Sequence, residues 1–282
     1  MNSPRIRTTL CSFVLTLLAM GSSPVLAEDE AHPLASIPLR TIGPALTSGR
    51  VADFAFHPDR SHEFYVAMAS AGVWKTTNNG TTWSQVFRNE GSFATGVVAI
   101  DPHNPNTVWV GSGENNSQRS VGYGDGVYKS VDGGKSWKNM GLKDSGHISM
   151  IRFHPTERDT LWVAAQGPLW NDGGDRGLYR SNDGGTTWER ILDIDPHTGA
   201  NEFVIHPADP DVIVASSYQR RRHVWTLING GPSSGIHKTT DGGKTWRKRA
   251  GGLPSGELGR IGLADAAGAP GLIYATIEGT GG

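Results

Sequence analysis

Ser130-Val131-Asp132-Gly133-Gly134-Lys135-Ser136-Trp137 is the stretch whose reading decides the fold. Its pattern, Ser/Thr-x-Asp/Asn-x-Gly-x-Ser/Thr-Trp, recurs from Thr76 to Trp83, from Ser181 to Trp188 and from Thr239 to Trp246. The closing tryptophans Trp83, Trp137, Trp188 and Trp246 lie 54, 51 and 58 residues apart. Self-similarity at such a period means one supersecondary unit copied along the chain, each copy burying its apolar faces against its neighbours.

Working outward from each box, the chain repeats three more signals. A short strand, Gly-apolar-aromatic/His-basic-Ser/Thr, precedes it at Gly72, Gly126, Gly177 and Gly235. Upstream stands an apolar strand ending in a small residue (Phe64 to Ala67, Val108 to Gly111, Leu161 to Ala164, Val212 to Ala215, Leu272 to Ala275). Before that comes a strand closed by His/Asp-Pro (Phe54 to Pro58, Val98 to Pro102, Ile151 to Pro155, Val204 to Pro207). With the segment after each tryptophan, the unit is four short strands joined by Gly/Pro/Asp turns. Apolar runs such as Val108-Trp109-Val110 suit strands covered on both faces, and 38 glycines in 282 residues is nearly twice the ordinary share of about 7%. The expected fold class is all-β, a β-propeller of four-stranded blades with about four and a half blades and an incomplete ring. A β-helix is the alternative, with a repeat that is usually shorter.

The box needs no ligand to explain it. The side-chain oxygen of Asn78, Asp132, Asp183 or Asp241 can accept from backbone N–H groups nearby, glycine supplies positive φ, and the tryptophan adds an apolar body to the seam between blades. Gly134-Lys135-Ser136 imitates the end of a phosphate loop, but Lys129 stands where the earlier glycine is required. Each box has one acidic position, unlike a calcium loop. His57, His154 and His206 recur once per repeat, which puts them on different blades and makes them turn or packing residues rather than metal ligands. No metal and no cofactor is expected.

At the N-terminus, residues 1–27 read as a signal peptide: Arg5 and Arg7, the apolar run Phe13 to Met20, then Val25-x-Ala27 before Glu28. Residues 28–48 form an N-terminal segment with a candidate ring-closing strand at Pro38 to Ile42; residues 49–282 are the blades, the last one truncated at Gly282. The expected location is secreted or periplasmic, without membrane insertion after cleavage. Cys11 lies in the leader, so the mature chain has neither disulfide nor thiol nucleophile. Its 24 basic and 27 acidic side chains give a net charge of −3, which argues against nucleic acid as a partner.

Loop lengths separate the two ends of the blades. The strand glycine and the box tryptophan are always 11 residues apart, whereas the connection between second and third strands measures 5, 15, 13 and 20 residues. Binding residues tend to sit on variable loops carried by a rigid scaffold. The candidate ligand-binding residues are therefore Asn115, Gln118, Arg119 and Tyr123 in the second repeat, Trp170 in the third, and Tyr218, Arg221 and Trp225 in the fourth. Aromatic platforms beside amides and guanidinium groups suit a protein, peptide or glycan ligand. Glu114 with Asp172 or Asp175 is the only acidic combination that fits glycoside hydrolysis, which needs two carboxyls about 5 to 9.5 Å apart.

The repeats resemble the Asp-box, or BNR, family found in sialidases, xyloglucanases, the sortilin ectodomain and a photosystem assembly factor. The resemblance covers residues 40–282. Ile42-Gly43-Pro44, Gly49-Arg50-Val51 and the stretch from Gly113 to Ser130 are similar to large secreted bacterial sortilin-like proteins, often labelled glycosyl hydrolase. By that resemblance the chain is expected to be a binding module for protein or peptide, the N-terminal part of a larger protein, with a glycoside hydrolase or glycan-binding fragment as the alternative. Two departures count against catalysis. Ala69 stands where a xyloglucanase is expected to carry its catalytic aspartate, and the Phe-Arg-Ile-Pro motif of sialidases is absent.

Overall fold

A computed structural model describes residues 49–116, 121–249, 251–266 and 268–279. The expected leader, the segment 28–48, and the candidate residues Gln118 and Arg119 lie outside the described residues.

The chain is an all-β propeller built of antiparallel sheets in sequence order. The first sheet is β1 (Val51–Phe56), β2 (Phe64–Met68), β3 (Gly72–Thr76) and β4 (Ser84–Phe87). The second is β5 (Thr95–Ile100), β6 (Val108–Ser112), β7 (Val127–Ser130) and β8 (Lys138–Asn139). The third is β9 (Ile148–Phe153), β10 (Leu161–Ala165), β11 (Gly177–Ser181) and β12 (Glu189–Leu192). The fourth contains β13 (Thr198–His206), β14 (Asp209–Arg222), β15 (Leu227–Asn229), β16 (Gly235–Thr239) and β17 (Arg247–Lys248), with β15 paired to the far end of β14. Two strands follow, β18 (Leu258–Asp265) and β19 (Ile273–Gly279).

The first strands of successive sheets are neighbours, β1 with β5, β5 with β9, β9 with β13 and β13 with β18. They carry a recurrent cap: one strand's side chain accepts the N–H that the next strand leaves unpaired. Asp53 Oδ2 accepts from Val98 N at 3.2 Å, Met150 Sδ from Phe203 N at 3.4 Å, and Glu202 Oε2 from Leu263 N at 2.8 Å. The apolar core is divided among the seams. Tyr65, Val73 and Phe87 of the first sheet meet Val108, Val110 and Tyr128 of the second; Trp109 and Val127 meet Ile151 and Val163; Trp162 and Leu178 meet Phe203 and Ile213. Sheets that bury both faces in this way require the near-continuous apolar strands seen in the sequence.

Each box closes on itself. In the second, Ser130 Oγ donates to Asp132 Oδ1 (2.7 Å) and accepts from Gly134 N (2.8 Å), while Ser136 donates to Asp132 through both N (3.0 Å) and Oγ (2.6 Å). Asp183 and Asp241 receive the equivalent bonds from Thr187 and Thr245, whereas Asn78 accepts from Thr82 N and its amide donates to Thr82 Oγ1 at 2.9 Å. Those donors favour the charged carboxylate and hold Asp183 down to about 2, the Thr187 hydroxyl contributing most.

The tryptophans reach across the seams with a fixed offset. Trp137 Nε1 donates to Val86 O (2.8 Å), Trp188 Nε1 to Met140 O (2.8 Å) and Trp246 Nε1 to Ile191 O (2.6 Å). In every case the acceptor lies three residues beyond the preceding box's own tryptophan. The reverse direction is served by a basic residue of the third strand, as Lys129 Nζ donates to Gly184 O (3.0 Å) and Arg180 Nη1 to Gly242 O (3.1 Å). In the first seam Tyr65 OH takes that part, donating to Gly133 O at 3.0 Å. The recurring histidines cap turns: His57 Nδ1 accepts from Asp59 N (3.1 Å) and His154 Nδ1 from Glu157 N (2.9 Å).

The glycine that opens the third strand is explained in the first three sheets, whereas Gly235 of the fourth faces only the Lys248 side chain. A Cβ on Gly177 would lie 2.2 Å from Leu192 O, at φ +117°, and Gly72 and Gly126 are confined in the same way by Phe87 O and Gly141 O. Gly177→Ala should therefore cost about 2 kcal/mol through strain and overpacking. An unchanged denaturant midpoint in that variant would show that the fourth strand can move aside.

Candidate functional site

The variable connections of the second, third and fourth sheets form the candidate site, and the longest is not a loop. The 20-residue interval between Ala215 and Gly235 is largely strand: β14 runs on to Arg222, turns at His223 to Thr226, and returns as β15. Pairing of Arg220, Arg221 and Arg222 with Asn229, Ile228 and Leu227 makes a projecting hairpin. This corrects the expectation that Tyr218 and Arg221 face a ligand from a loop. Tyr218 is fully buried, its hydroxyl bonded to Asn229, and Arg221 is buried against the third sheet's connection. A strand continued past the sheet edge carries its side chains into the packing between blades.

Arg221 anchors the hairpin. Its Nε donates to Leu169 O (3.1 Å), and its Nη1 pairs with Asp172 and lies 2.9 Å from His197 Nδ1. The backbone N–H of Arg222 donates to the same Leu169 O (2.8 Å), and its guanidinium sits 5.8 Å from the centroid of Trp170. Beyond this clamp the tip is bare: Trp225 is 82% and Val224 87% exposed, with the Trp225 ring stacked on His223 at 5.3 Å and 8°. Trp170, half-exposed, stands on the same surface.

The acidic candidates are engaged separately. Glu114 is buried, ion-paired with Arg50, and accepts from Gly122 N (3.3 Å) and Asn116 Nδ2 (3.4 Å). Asp172 is tied to Arg221, and Asp175 Oδ2 accepts from Asp144 N at 2.9 Å. Among the described residues Glu114 shares no partner with either aspartate. Asn115 is buried, its amide donating at 3.4 Å to Gly96 O and Ser149 O, whereas Tyr123 is half-exposed with its ring 5.6 Å from that of His147.

A buried polar network that the sequence did not reveal joins these connections. Gln166 is its hub. Its Oε1 accepts from Arg220 Nη1 (2.7 Å), its Nε2 donates to Asn201 Oδ1 (2.7 Å), and its backbone O accepts from Arg176 Nη1 (2.7 Å). Arg220 also donates to Asn116 O, and Asn201 Nδ2 to Ile261 O (2.8 Å), so connections from the second sheet to β18 are linked. Burial pushes Arg176 and Arg220 down to about 10. Gln166 directly follows the apolar strand Leu161–Ala165, where a lone glutamine names no partner, and only its neighbours in space make it a hub. Beside the network opens a polar cavity of about 680 Å³ between the first strands of all five sheets, with Asp53, Asn116, Arg152, Glu202 and Arg260 on its wall. Among the described residues no cluster of His, Cys, Asp and Glu has the spacing of a metal site.

Comparison with known proteins gives the same architecture. A family model described as "Sortilin, neurotensin receptor 3" matches residues 125–253. A xyloglucanase of Acetivibrio thermocellus is 27% identical over 212 residues, covering 62% of this chain and 22% of its own length. The vacuolar protein sorting/targeting protein 10 of Colletotrichum graminicola is 35% identical over 113 residues, 40% of this chain and 6% of its own. Among solved structures, an ancestral GH74 enzyme superposes with a TM-score of 0.57 at 23% identity, over 73% of this chain and 25% of that one. The GH74 xyloglucanase of Xanthomonas campestris gives 0.58 at 17%, over 80% and 34%. The chain thus spans about a fifth to a third of the length of these xyloglucanase and GH74 relatives. Sequence and fold together show a β-propeller similar to sortilin-like and glycosyl-hydrolase-labelled repeat proteins.

Proposed function

We propose that this Asp-box β-propeller is an exported module that binds a protein or peptide on the surface formed by its variable connections. The observation that carries the reading is the clamped hairpin. Arg221 and Arg222 fix β14 and β15 onto the third sheet's connection, yet the tip leaves Trp225 almost wholly in solvent. A rigid strand pair that holds a large aromatic side chain in water is suited to delivering it into a partner's pocket, since tryptophan is enriched among the residues that dominate interface energy. The leader-like residues 1–27 support export, and the likeness of residues 125–253 to sortilin supports a peptide or protein as the ligand.

The second reading, a glycoside hydrolase or glycan-binding fragment, is favoured by the relatives named xyloglucanase. Against it stand the separately engaged carboxylates, and Ala69, fully buried with its N–H on Arg50 O, where the resemblance calls for a catalytic aspartate. The test is selection from a random-peptide display library on immobilised residues 28–282. Selected peptides should bind Trp225→Ala at least tenfold more weakly, equivalent to about 1.4 kcal/mol. Release of reducing sugar from xyloglucan that disappears in Glu114→Gln would overturn the proposal in favour of the second reading.

A further inference from the structure

Four arginines stand on the third and fourth variable connections, and three of them are spent inside the molecule. Arg176 and Arg220 donate into the Gln166 hub, and Arg221 pairs with Asp172 while donating to Leu169 O at 3.1 Å. Arg222 differs. Its backbone N–H is used, on Leu169 O, but among the described residues its guanidinium enters no ion pair and donates no hydrogen bond. The Nε is enclosed without an acceptor, and the guanidinium carbon lies 5.8 Å from the centroid of the Trp170 ring.

An arginine held in this way is organised to receive an acceptor. Pairing of Arg222 with Leu227 fixes its backbone, and the Trp170 ring packs on its head. Part of the side-chain freedom that an ion pair normally costs is therefore already lost. A guanidinium with open donors is best matched by two oxygens in one plane, and such bidentate carboxylate pairs are about twice as strong as neutral hydrogen bonds. With Nε enclosed, the acceptor comes end-on to the two Nη groups. The surroundings favour the same sign of partner. Between Ala165 and Gly177 and between Ala215 and Gly235 the chain carries Arg176, Arg220, Arg221 and Arg222 against Asp172 and Asp175, a net charge of +2, whereas the whole chain carries −1. A basic island on an otherwise acidic molecule steers acidic partners towards itself.

We infer that the hairpin selects acidic-apolar peptide segments, an inference that rests on the binding reading above and names the chemistry of its ligand. A glutamate or aspartate side chain of the segment pairs end-on with Arg222, and an apolar side chain close to it packs on Trp225 and Val224, which are almost wholly exposed. Apolar area at the tip supplies affinity, and the ion pair chooses among apolar segments. A neutral glycan could cover Trp225, but it would offer the guanidinium only hydroxyl acceptors, which make the weaker class of hydrogen bond.

The test compares a peptide selected on the immobilised chain with its twin, in which every glutamate and aspartate is replaced by glutamine or asparagine. The acidic form should bind about tenfold more tightly than the twin at low ionic strength, with the gap narrowing as salt is added. Arg222→Gln should close that gap, and Trp225→Ala should weaken both forms alike. Arg222→Lys, which keeps the charge and loses the fork, should retain only part of it. The twin requires no change in the protein, so the comparison stands even where a variant fails to fold. Selected peptides that depend on Trp225 yet carry no acidic residue, or bind equally well in both forms, would overturn this inference and leave the binding reading in place. A gap that survives Arg222→Gln would do the same. If selection yields no peptide, both readings fall, and sedimentation with anionic phospholipid vesicles that is lost in Trp225→Ala and Arg222→Gln would make the occupant a membrane surface instead.

Discussion

Trp109→Ala is expected to remove about 3–5 kcal/mol of stability, the usual cost of deleting a large aromatic side chain from a core. Trp109 is 2% exposed on β6 and spans the seam between the second and third sheets. Its ring meets Trp188 edge-on at 6.4 Å, carries Lys129 Nζ 5.0 Å from its centroid, and fills the space in front of Gly185. Truncation would therefore strip three partners at once: an aromatic pair, a cation-π contact and the wall against which the third box is folded. Backbone hydrogen bonds on both sides limit how far the two sheets can close the gap. Denaturant titration of the purified chain measures the loss directly. Trp225→Ala is the matched control: the same chemical change at an exposed tip should move stability by less than about 0.5 kcal/mol. Equal effects in the two variants would mean that the seams do not hold the molecule together.

The second large effect is acid sensitivity. His147 is fully buried beside Tyr123, with no hydrogen-bond partner on either ring nitrogen among the described residues, and burial followed by the charges of Arg220 and Arg176 pushes it down to about 3. His237 is likewise held at about 4 by burial and Lys248. An unfolded histidine titrates near 6.5, so protons bind the unfolded chain first. The stability contributed by the neutral folded forms is fully present above pH 6.5 and is lost as pH falls towards 4 for His237 and 3 for His147. For His147 alone the loss is on the order of 5 kcal/mol. The box aspartate Asp183, depressed to about 2, adds a lower window in which stability present above about pH 4 is lost as pH falls towards 2. His147→Phe separates the windows. With no hydrogen bond to lose it should be nearly neutral at pH 7, and the slope between pH 6.5 and 4 should shrink. A slope identical to that of the parent would show that His147 is not the titrating group.

The candidate site was only partly legible. Trp170 and Trp225 could be placed on the variable surface from interval lengths, because a connection that varies among otherwise equal repeats is free of the scaffold's constraints. Tyr218 and Arg221 were misplaced by the same reasoning, since an interval length does not say whether the chain pairs with itself, and here it does. Glu114 shows the complementary limit: an acidic residue on a variable connection looks available until Arg50, 64 residues earlier, is seen to occupy it.

What the sequence determined by itself was everything set by local chemistry repeated in register. The box fixes its own hairpin through bonds spanning at most four residues, and the strand glycines and His-Pro turns follow from backbone conformation, so four copies declare four blades. What only the tertiary structure decided was every relation across a seam or between connections. The three-residue offset from tryptophan to acceptor, the caps between neighbouring first strands and the Gln166 hub each join residues roughly 35 to 100 positions apart. Such contacts follow from how rigid sheets stack, and no local pattern encodes them.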